Sequence, residues 1–215
     1  AAALIVLCAT GARAELLVNP GFENWAGSNV ADNWTQYTTF GTIACYKGSS
    51  WTGDPPVLPH SGTDCQRVKL GGSGYQGGVY QRFSSAAGTQ YMISAWLLTR
   101  LNGATHVEAK LGVDPTGATA PGANTVWSTM VTGDSSWVQK NLNVTAVGSY
   151  VTVFLDGRDP STATPAVSVF FDDASAVACT PPTAPANPSA NPATVYPGGS
   201  STLTATVQSG CTVDW

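Results

Sequence analysis

Leu16-Leu17-Val18-Asn19-Pro20-Gly21-Phe22-Glu23 is a short apolar run, a turn, then an aromatic side chain followed by a carboxylate. Far along the chain, Val167-Ser168-Val169-Phe170-Phe171-Asp172-Asp173-Ala174-Ser175 is a second strand-like run with two carboxylates in it. The two read as the first and last strands of one β-sandwich, with the remaining strands and loops between them. Folding then brings Glu23 to Asp172 and Asp173. Oxygen ligands gathered from distant segments suit a hard cation. Glu23 with one or both of Asp172 and Asp173, helped by backbone carbonyls around Thr63 and Asp64, is therefore the expected site of a structural calcium ion. Solvated strand-end acids are the alternative.

Between these ends, residues 34–46 are rich in Thr, Tyr, Phe, Ile and Trp, which suits a strand pair or one long bent strand. Residues 48–62 form a long, stiff loop carrying Trp51, three prolines and His60, and loops of that length are often functional. Further strands are expected over 65–70, 79–83, 91–100, 104–113, 125–131, 137–147 and 150–155. With no long helical period competing, about nine short strands with turn signals between them indicate an antiparallel sandwich. Leu101-Asn102-Gly103 predicts a three-residue hairpin loop that pairs Arg100 with Ala104, and so Trp96 with Glu108. A two-residue loop instead shifts the register by one and sets Trp96 among Val107, Ala109 and Leu111. In the preferred register Tyr91, Ile93, Ala95 and Leu97 share the core face with Val107, Ala109 and Leu111. Ser94, Trp96, His106, Glu108 and Lys110 then lie together on the opposite face.

The 215 residues hold one ordinary domain plus a fragment, and an apolar fraction of 43% is ample for a core. A charged fraction of 10% with abundant Gly, Ser, Thr and Pro is the balance of extracellular all-β modules. A formal charge of −4 provides no broad basic surface, so neither nucleic acid nor anionic lipid is an expected partner. Residues 1–14 are apolar and end in Ala12-Arg13-Ala14, the small-x-small form of a secretory cleavage site, and read as part of a signal peptide. A buried N-terminal strand or helix is the alternative. No later segment approaches the roughly 20 apolar residues that span a bilayer, so no membrane insertion is expected.

Beyond residue 14 the cysteines are Cys45, Cys65, Cys179 and Cys211, an even number in a chain bound for an oxidising compartment. Sequence order favours a Cys45–Cys65 disulfide stapling the Trp51 loop, with Cys179–Cys211 as the second pair. A zinc site competes poorly, because none are spaced C-x-x-C and neither His lies in a ligand pattern. Residues 179–190 have Pro-rich linker chemistry. Residues 191–215 read as two strands around a Pro-Gly-Gly turn.

The run Asn19-Pro20-Gly21-Phe22-Glu23 resembles the first strand of the jelly-roll carbohydrate-binding modules with a galactose-binding-like fold. His60-Ser61-Gly62, residues 88–96, Trp137 opening a strand and Phe170-Phe171-Asp172-Asp173-Ala174-Ser175 match the same pattern in order. The resemblance covers 15–178 and implies a sandwich, a structural calcium ion and noncatalytic attachment to secreted glycoside hydrolases or surface proteins. Residues 191–215 resemble the start of an immunoglobulin-like module, truncated here, with Trp215 as its core Trp and further domains of the same chain beyond residue 215. The smaller residues of Ala174-Ser175-Ala176-Val177, and Cys45 with Cys65, depart from the pattern.

Trp34 and Trp137 match positions that fill the core in that family. Trp96 is placed by alternation on the face that such modules hollow into a sugar cleft. There it offers a flat apolar surface to a pyranose ring, while Ser94, His106, Glu108 and Lys110 supply hydrogen bonds. A Trp packed beneath a crossing loop is the alternative. Trp51, Tyr75 and Tyr80 are candidate rim residues. Asp172 and Asp173, as neighbours on a strand, should point to opposite faces and cannot flank one bond, and no hydrolase or phosphate-binding motif occurs, so catalysis is not expected. The expected function is a noncatalytic, extracellular module binding polysaccharide or a cell-surface glycan. The alternative is a structural spacer or adhesion domain of a surface protein.

Overall fold

The computed structural model describes residues 14–27, 29–71, 74–160 and 166–179, with the backbone of 186–191 and 202–206. Residues 1–13 of the expected signal peptide, Cys211 and Trp215 lie outside these residues. The chain divides into two units, one of them Ala14–Ala178. In the other, β12 (Ala186–Asn191) and β13 (Thr202–Thr206) pair antiparallel.

The first unit is an all-β sandwich of two antiparallel sheets, with strands numbered in chain order. The first sheet contains β1 (Thr35–Phe40), β4 (Gln76–Ser84), β6 (Glu108–Asp114), β7 (Val126–Trp127) and β10 (Tyr150–Arg158) in the order β1-β4-β10-β6-β7. The short β8 (Val131–Thr132) also pairs with β6. The second sheet contains β2 (Ile43–Lys47), β3 (Gln66–Leu70), β5 (Gln90–Arg100), β9 (Val138–Thr145) and β11 (Val167–Cys179) in the order β2-β3-β11-β5-β9. Chain neighbours such as β1 and β2 thus belong to different sheets, the interleaving of a jelly roll.

Period-two alternation builds the core. Val79 and Phe83 of β4, Val151, Val153 and Leu155 of β10, and Ala109, Leu111 and Val113 of β6 point inward from the first sheet. Val68 and Leu70, Tyr91, Ile93, Ala95 and Leu97, and Val167, Val169 and Phe171 meet them from the second. Both inward sets of β5 and β6 were legible, but the hairpin between them does not form. β5 pairs with β9, placing Trp96 opposite Gln139, and β6 pairs with β10. The turn itself exists: Asn102 and Gly103 have φ of 49° and 83°, and Ala104 N–H donates to Leu101 O at 2.9 Å. It carries the chain across from one sheet to the other, so β5 and β6 face each other through the core.

The opening stretch is extended without being a ladder strand. Leu16 N–H donates to Ala176 O at 3.0 Å and Ala174 N–H to Pro20 O at 2.9 Å, so it lies along β11 as the first-to-last pairing requires. Asn19 organises the turn that follows. At φ 55° and nearly buried, it donates through Nδ2 to Asn24 O and Asp32 O. Its Oδ1 accepts the Asn24 N–H, and its carbonyl accepts the Trp34 indole N–H at 3.0 Å. Phe22 is thereby delivered against Trp34, ring centroids 4.8 Å apart, with both side chains in the core.

The expected Cys45–Cys65 disulfide is absent, and alternation explains why. Cys45 points inward into the main core, whereas Cys65, just before β3, points outward into a separate cluster with Leu98 and Phe170. Both thiols are buried and free, and burial pushes the Cys45 thiol up to about 12 and that of Cys65 higher still.

Candidate functional site: the outward face of the first sheet

Side chains directly opposite one another in a sheet share a face. Register therefore assembles the outward face of the first sheet row by row. Tyr80 of β4 lies opposite Phe154 of β10, Phe154 opposite Gly112 of β6, and Gly112 opposite Trp127 of β7. In the next row Tyr37 of β1 is opposite Gly78, Gly78 opposite Asp156, and Asp156 opposite Lys110. The row beyond joins Gln76, Arg158 and Glu108.

Aromatic rings cover the centre of this face. Tyr37 meets Phe154 edge-on at 5.2 Å, and Tyr80 and Trp127 lie 5.8 and 6.5 Å from Phe154. Phe154 is wholly buried beneath them, whereas Tyr80 and Trp127 are half-buried. Gly112 makes room for the indole, because a Cβ there would sit 2.3 Å from Trp127 Cζ3. Trp25, Trp34, Trp51 and Trp137 all donate their indole N–H to backbone carbonyls. The Trp127 N–H and the Tyr80 hydroxyl have no hydrogen-bond partner among the described residues and are not buried.

A polar network adjoins the rings. The wholly buried Asp156 accepts from Tyr37 Oη at 2.7 Å and Gln76 Nε2 at 2.9 Å, and Lys110 Nζ stands 4.0 Å away. Burial pushes the Asp156 carboxyl up to about 6, opposed by the Tyr37 and Gln76 hydrogen bonds and by Lys110 and Arg158. Burial and then the Asp156 charge push the Tyr37 hydroxyl up. Lys110 also lies over the Trp127 ring at 4.4 Å, and Arg158 approaches Glu108 at 3.7 Å. The result is an aromatic platform with hydrogen-bonding groups along one side. A sugar ring, apolar on its faces and hydroxylated at its edges, is complementary to both.

The expected set divides between the two outer faces. Glu108, Lys110 and Tyr80 share this platform. Trp96 lies on the outward face of the second sheet, because β5 belongs to that sheet. Its ring is stacked on His60 with centroids 3.8 Å apart, a Trp beneath a crossing loop. Trp51, in the same loop, packs edge-on against Phe170 at 5.7 Å and carries the Arg67 guanidinium at 4.8 Å. Trp137 is half-buried there, outside the main core, and donates to Leu58 O at 2.9 Å. Tyr75 packs against Phe40, and the exposed His106 touches Thr105 in the turn before β6. Tyr37, Gln76, Trp127, Phe154 and Asp156 were missed. A signal existed for Phe154: Val153-Phe154-Leu155 interrupts alternation, as a strand buried on both faces does.

The expected calcium residues do converge on one loop. Glu23 accepts the Thr63 N–H at 3.0 Å, the Thr63 hydroxyl at 2.5 Å and the Asp64 N–H at 3.4 Å. Asp172 Oδ2 accepts the N–H groups of His60 at 2.8 Å and Ser61 at 3.2 Å, while Asp173 bonds to His60 Nδ1 at 2.6 Å and accepts from Ser61 Oγ at 2.7 Å. The two aspartates do not point to opposite faces as neighbours on a regular strand would. Asp173 has φ 42°, which breaks the alternation and turns both carboxylates to residues 60–61. Burial pushes the Asp172 carboxyl up to about 7 against its hydrogen bonds from Ser61 and Asp173, with the Asp173 charge adding to the rise. The donor set is all oxygen and suits a hard cation in its chemistry. Among the described residues no group of three or more His, Cys, Asp or Glu side chains could hold a metal by itself, so an ion here depends on backbone carbonyls.

Comparison with protein-family models finds no match, and comparison with curated proteins finds none either. Solved structures do match in fold. The CBM22-1–CBM22-2 tandem domain of Paenibacillus barcinonensis Xyn10C aligns at 13% identity and a TM-score of 0.54, over 85% of this chain and 51% of that one. The CBM22-1 xylan-binding domain of the same protein aligns at 14% and 0.50, over 74% of this chain and 92% of that one. An arabinose-bound α-L-arabinofuranosidase aligns at 17% and 0.50, over 77% of this chain and 26% of that enzyme. The fold is that of carbohydrate-binding jelly rolls.

Proposed function

We propose that the chain is a noncatalytic glycan-binding module of a larger secreted or cell-surface protein, and that it holds polysaccharide on the outward face of the first sheet. One observation carries this: Tyr37, Tyr80, Trp127 and Phe154 form a single aromatic platform whose Tyr80 hydroxyl and Trp127 N–H are uncommitted. A fold neighbour that is a xylan-binding domain, and occurrence of the fold as part of longer chains, support the reading. The platform replaces Trp96 as the aromatic surface but keeps Glu108, Lys110 and Tyr80. Affinity electrophoresis against soluble xylan and galactan tests it. Tyr80→Ala and Trp127→Ala should each weaken binding by about tenfold or more, the loss of an aromatic contact and its buried area. Trp96→Ala should leave binding unchanged. Retardation lost only in Trp96→Ala moves the site to the other sheet, and no retardation of the wild type by any glycan leaves a spacer.

We also propose a structural calcium ion held by Glu23 and by Asp172 or Asp173, with carbonyls around Thr63 and Asp64. The ion would tie the first segment, the loop 60–64 and the last strand together. Chelation should then lower the melting temperature.

A further inference from the structure

The platform has two ends, and their electrostatics differ. At one end Lys110 and Arg158 have carboxylates opposite them, Asp156 at 4.0 Å and Glu108 at 3.7 Å. At the other end Arg82 is exposed and lies over the Tyr150 ring at 4.3 Å. Its guanidinium has no ion pair and no hydrogen bond among the described residues. The acid in its row is Asp114, two strands away through Thr152. Its carboxylate is engaged by the Thr116 N–H, the Thr116 hydroxyl and the Thr125 hydroxyl. Thr152, opposite Arg82 and wholly buried, has a hydroxyl with no partner among the described residues. A ligand cannot reach that buried hydroxyl, so the open groups here are Arg82 and the neighbouring Tyr150.

Tyr150 adds a second ring. It is 41% exposed, and its hydroxyl is likewise uncommitted. Arg82 follows Tyr80 by two positions on β4, so its side chain leaves the strand about 7 Å along the same face from Tyr80. A guanidinium backed by an aromatic ring is partly desolvated yet keeps its in-plane N–H donors for a planar or tetrahedral oxyanion.

We propose that Arg82 and Tyr150 form a second subsite that takes an acidic substituent of the bound glycan, a carboxylate or a sulfate ester, beside neutral rings on Tyr80 and Trp127. The inference rests on the glycan-binding reading above. The overall charge of −4 gives acidic glycans no general attraction, so any preference for one comes from this local cation.

The test uses a matched series: glucuronoxylan, its carboxyl-reduced form, and the carboxyl-reduced form after chemical sulfation. Dissociation constants come from affinity electrophoresis at low and high salt. Wild type should bind the native polymer roughly two- to fivefold more tightly than the carboxyl-reduced one, with the advantage fading at high salt as for an exposed ion pair. Arg82→Gln should bind both equally, at the level of the reduced form, and Arg82→Lys should recover part of the preference. Recovery of tighter binding by the sulfated form assigns the subsite to oxyanions in general, and its failure assigns it to carboxylates. Equal binding of the native and reduced polymers by wild type overturns the subsite while leaving the glycan-binding reading intact. A preference that persists in Arg82→Gln overturns it as well. Binding of no form overturns both.

Discussion

Asp156 ties together three groups at the edge of the proposed platform. Its carboxylate fixes the Tyr37 hydroxyl and the Gln76 amide by hydrogen bonds and balances Lys110. A carboxylate with no exposure is costly to charge even so, and its pKa rises from 3.8 to about 6. The sign follows from proton counting. Between these values the native state keeps a proton that the unfolded chain has lost, so stability is fully present below about pH 4 and falls as pH rises through 6. Asp156→Asn removes that dependence. Denaturant unfolding from pH 4 to 7 should show wild type losing up to about 3 kcal/mol relative to the variant. Parallel pH profiles for the two proteins would mean that Asp156 does not carry the shift.

At the level of elements, the loop 48–62 turns the outward face of the second sheet into a satellite core. Phe170 points away from the main core yet is wholly buried under Trp51, with Cys65 and Leu98 beside it. Arg100 clamps the loop through Pro55 O and Pro56 O, both at 3.4 Å, and reaches Ser135 O at 2.5 Å. Phe170→Ala should therefore cost about 3–5 kcal/mol, as much as Phe171→Ala in the main core. A cost below about 1 kcal/mol, the value of a surface change, would show that the loop does not cover it. The same elements explain what was legible. Alternation depends only on pleating, so the inward sets of β5 and β6 could be read directly. Pairing partners depend on where a turn sends the chain, and the Leu101-Asn102-Gly103 turn is compatible with either a hairpin or a crossing between sheets. Choosing the hairpin put Trp96 beside Glu108 and left out Phe154 and Trp127, whose neighbourhood exists only through β10 and β7. The Cys45–Cys65 pairing failed for a related reason, because nearness in sequence says nothing of which face each thiol takes.

For the whole sandwich, closure depends on residues 60–64, where segments far apart in sequence meet. Glu23, Asp172 and Asp173 all bond to residues 60–64, and Asp64 adds a fourth carboxylate that accepts the Cys65 N–H, while the basic groups beside them among the described residues are His60, 2.6 Å from Asp173, and Lys47, 4.0 Å from Asp64. Four carboxylates against a half-exposed imidazole and one distant lysine leave repulsion that a divalent cation would relieve. Gly62 is required at this point by its φ of 62° and because a Cβ would fall 2.0 Å from Glu23 Oε1. A ligand that binds only the folded state stabilises it by about 2.7 kcal/mol at a hundredfold excess over its dissociation constant. For a domain of this size that corresponds to roughly 5–10 °C in melting temperature. Calcium added to chelator-treated protein should raise the melting temperature by that amount, and magnesium, which demands stricter octahedral geometry, by less. Glu23→Ala should melt at one temperature with or without calcium, below the chelated wild type because it also loses the hydrogen bonds from Thr63 and Asp64. Wild type that melts identically in chelator and in calcium would leave these acids as caps on the loop's N–H groups and nothing more.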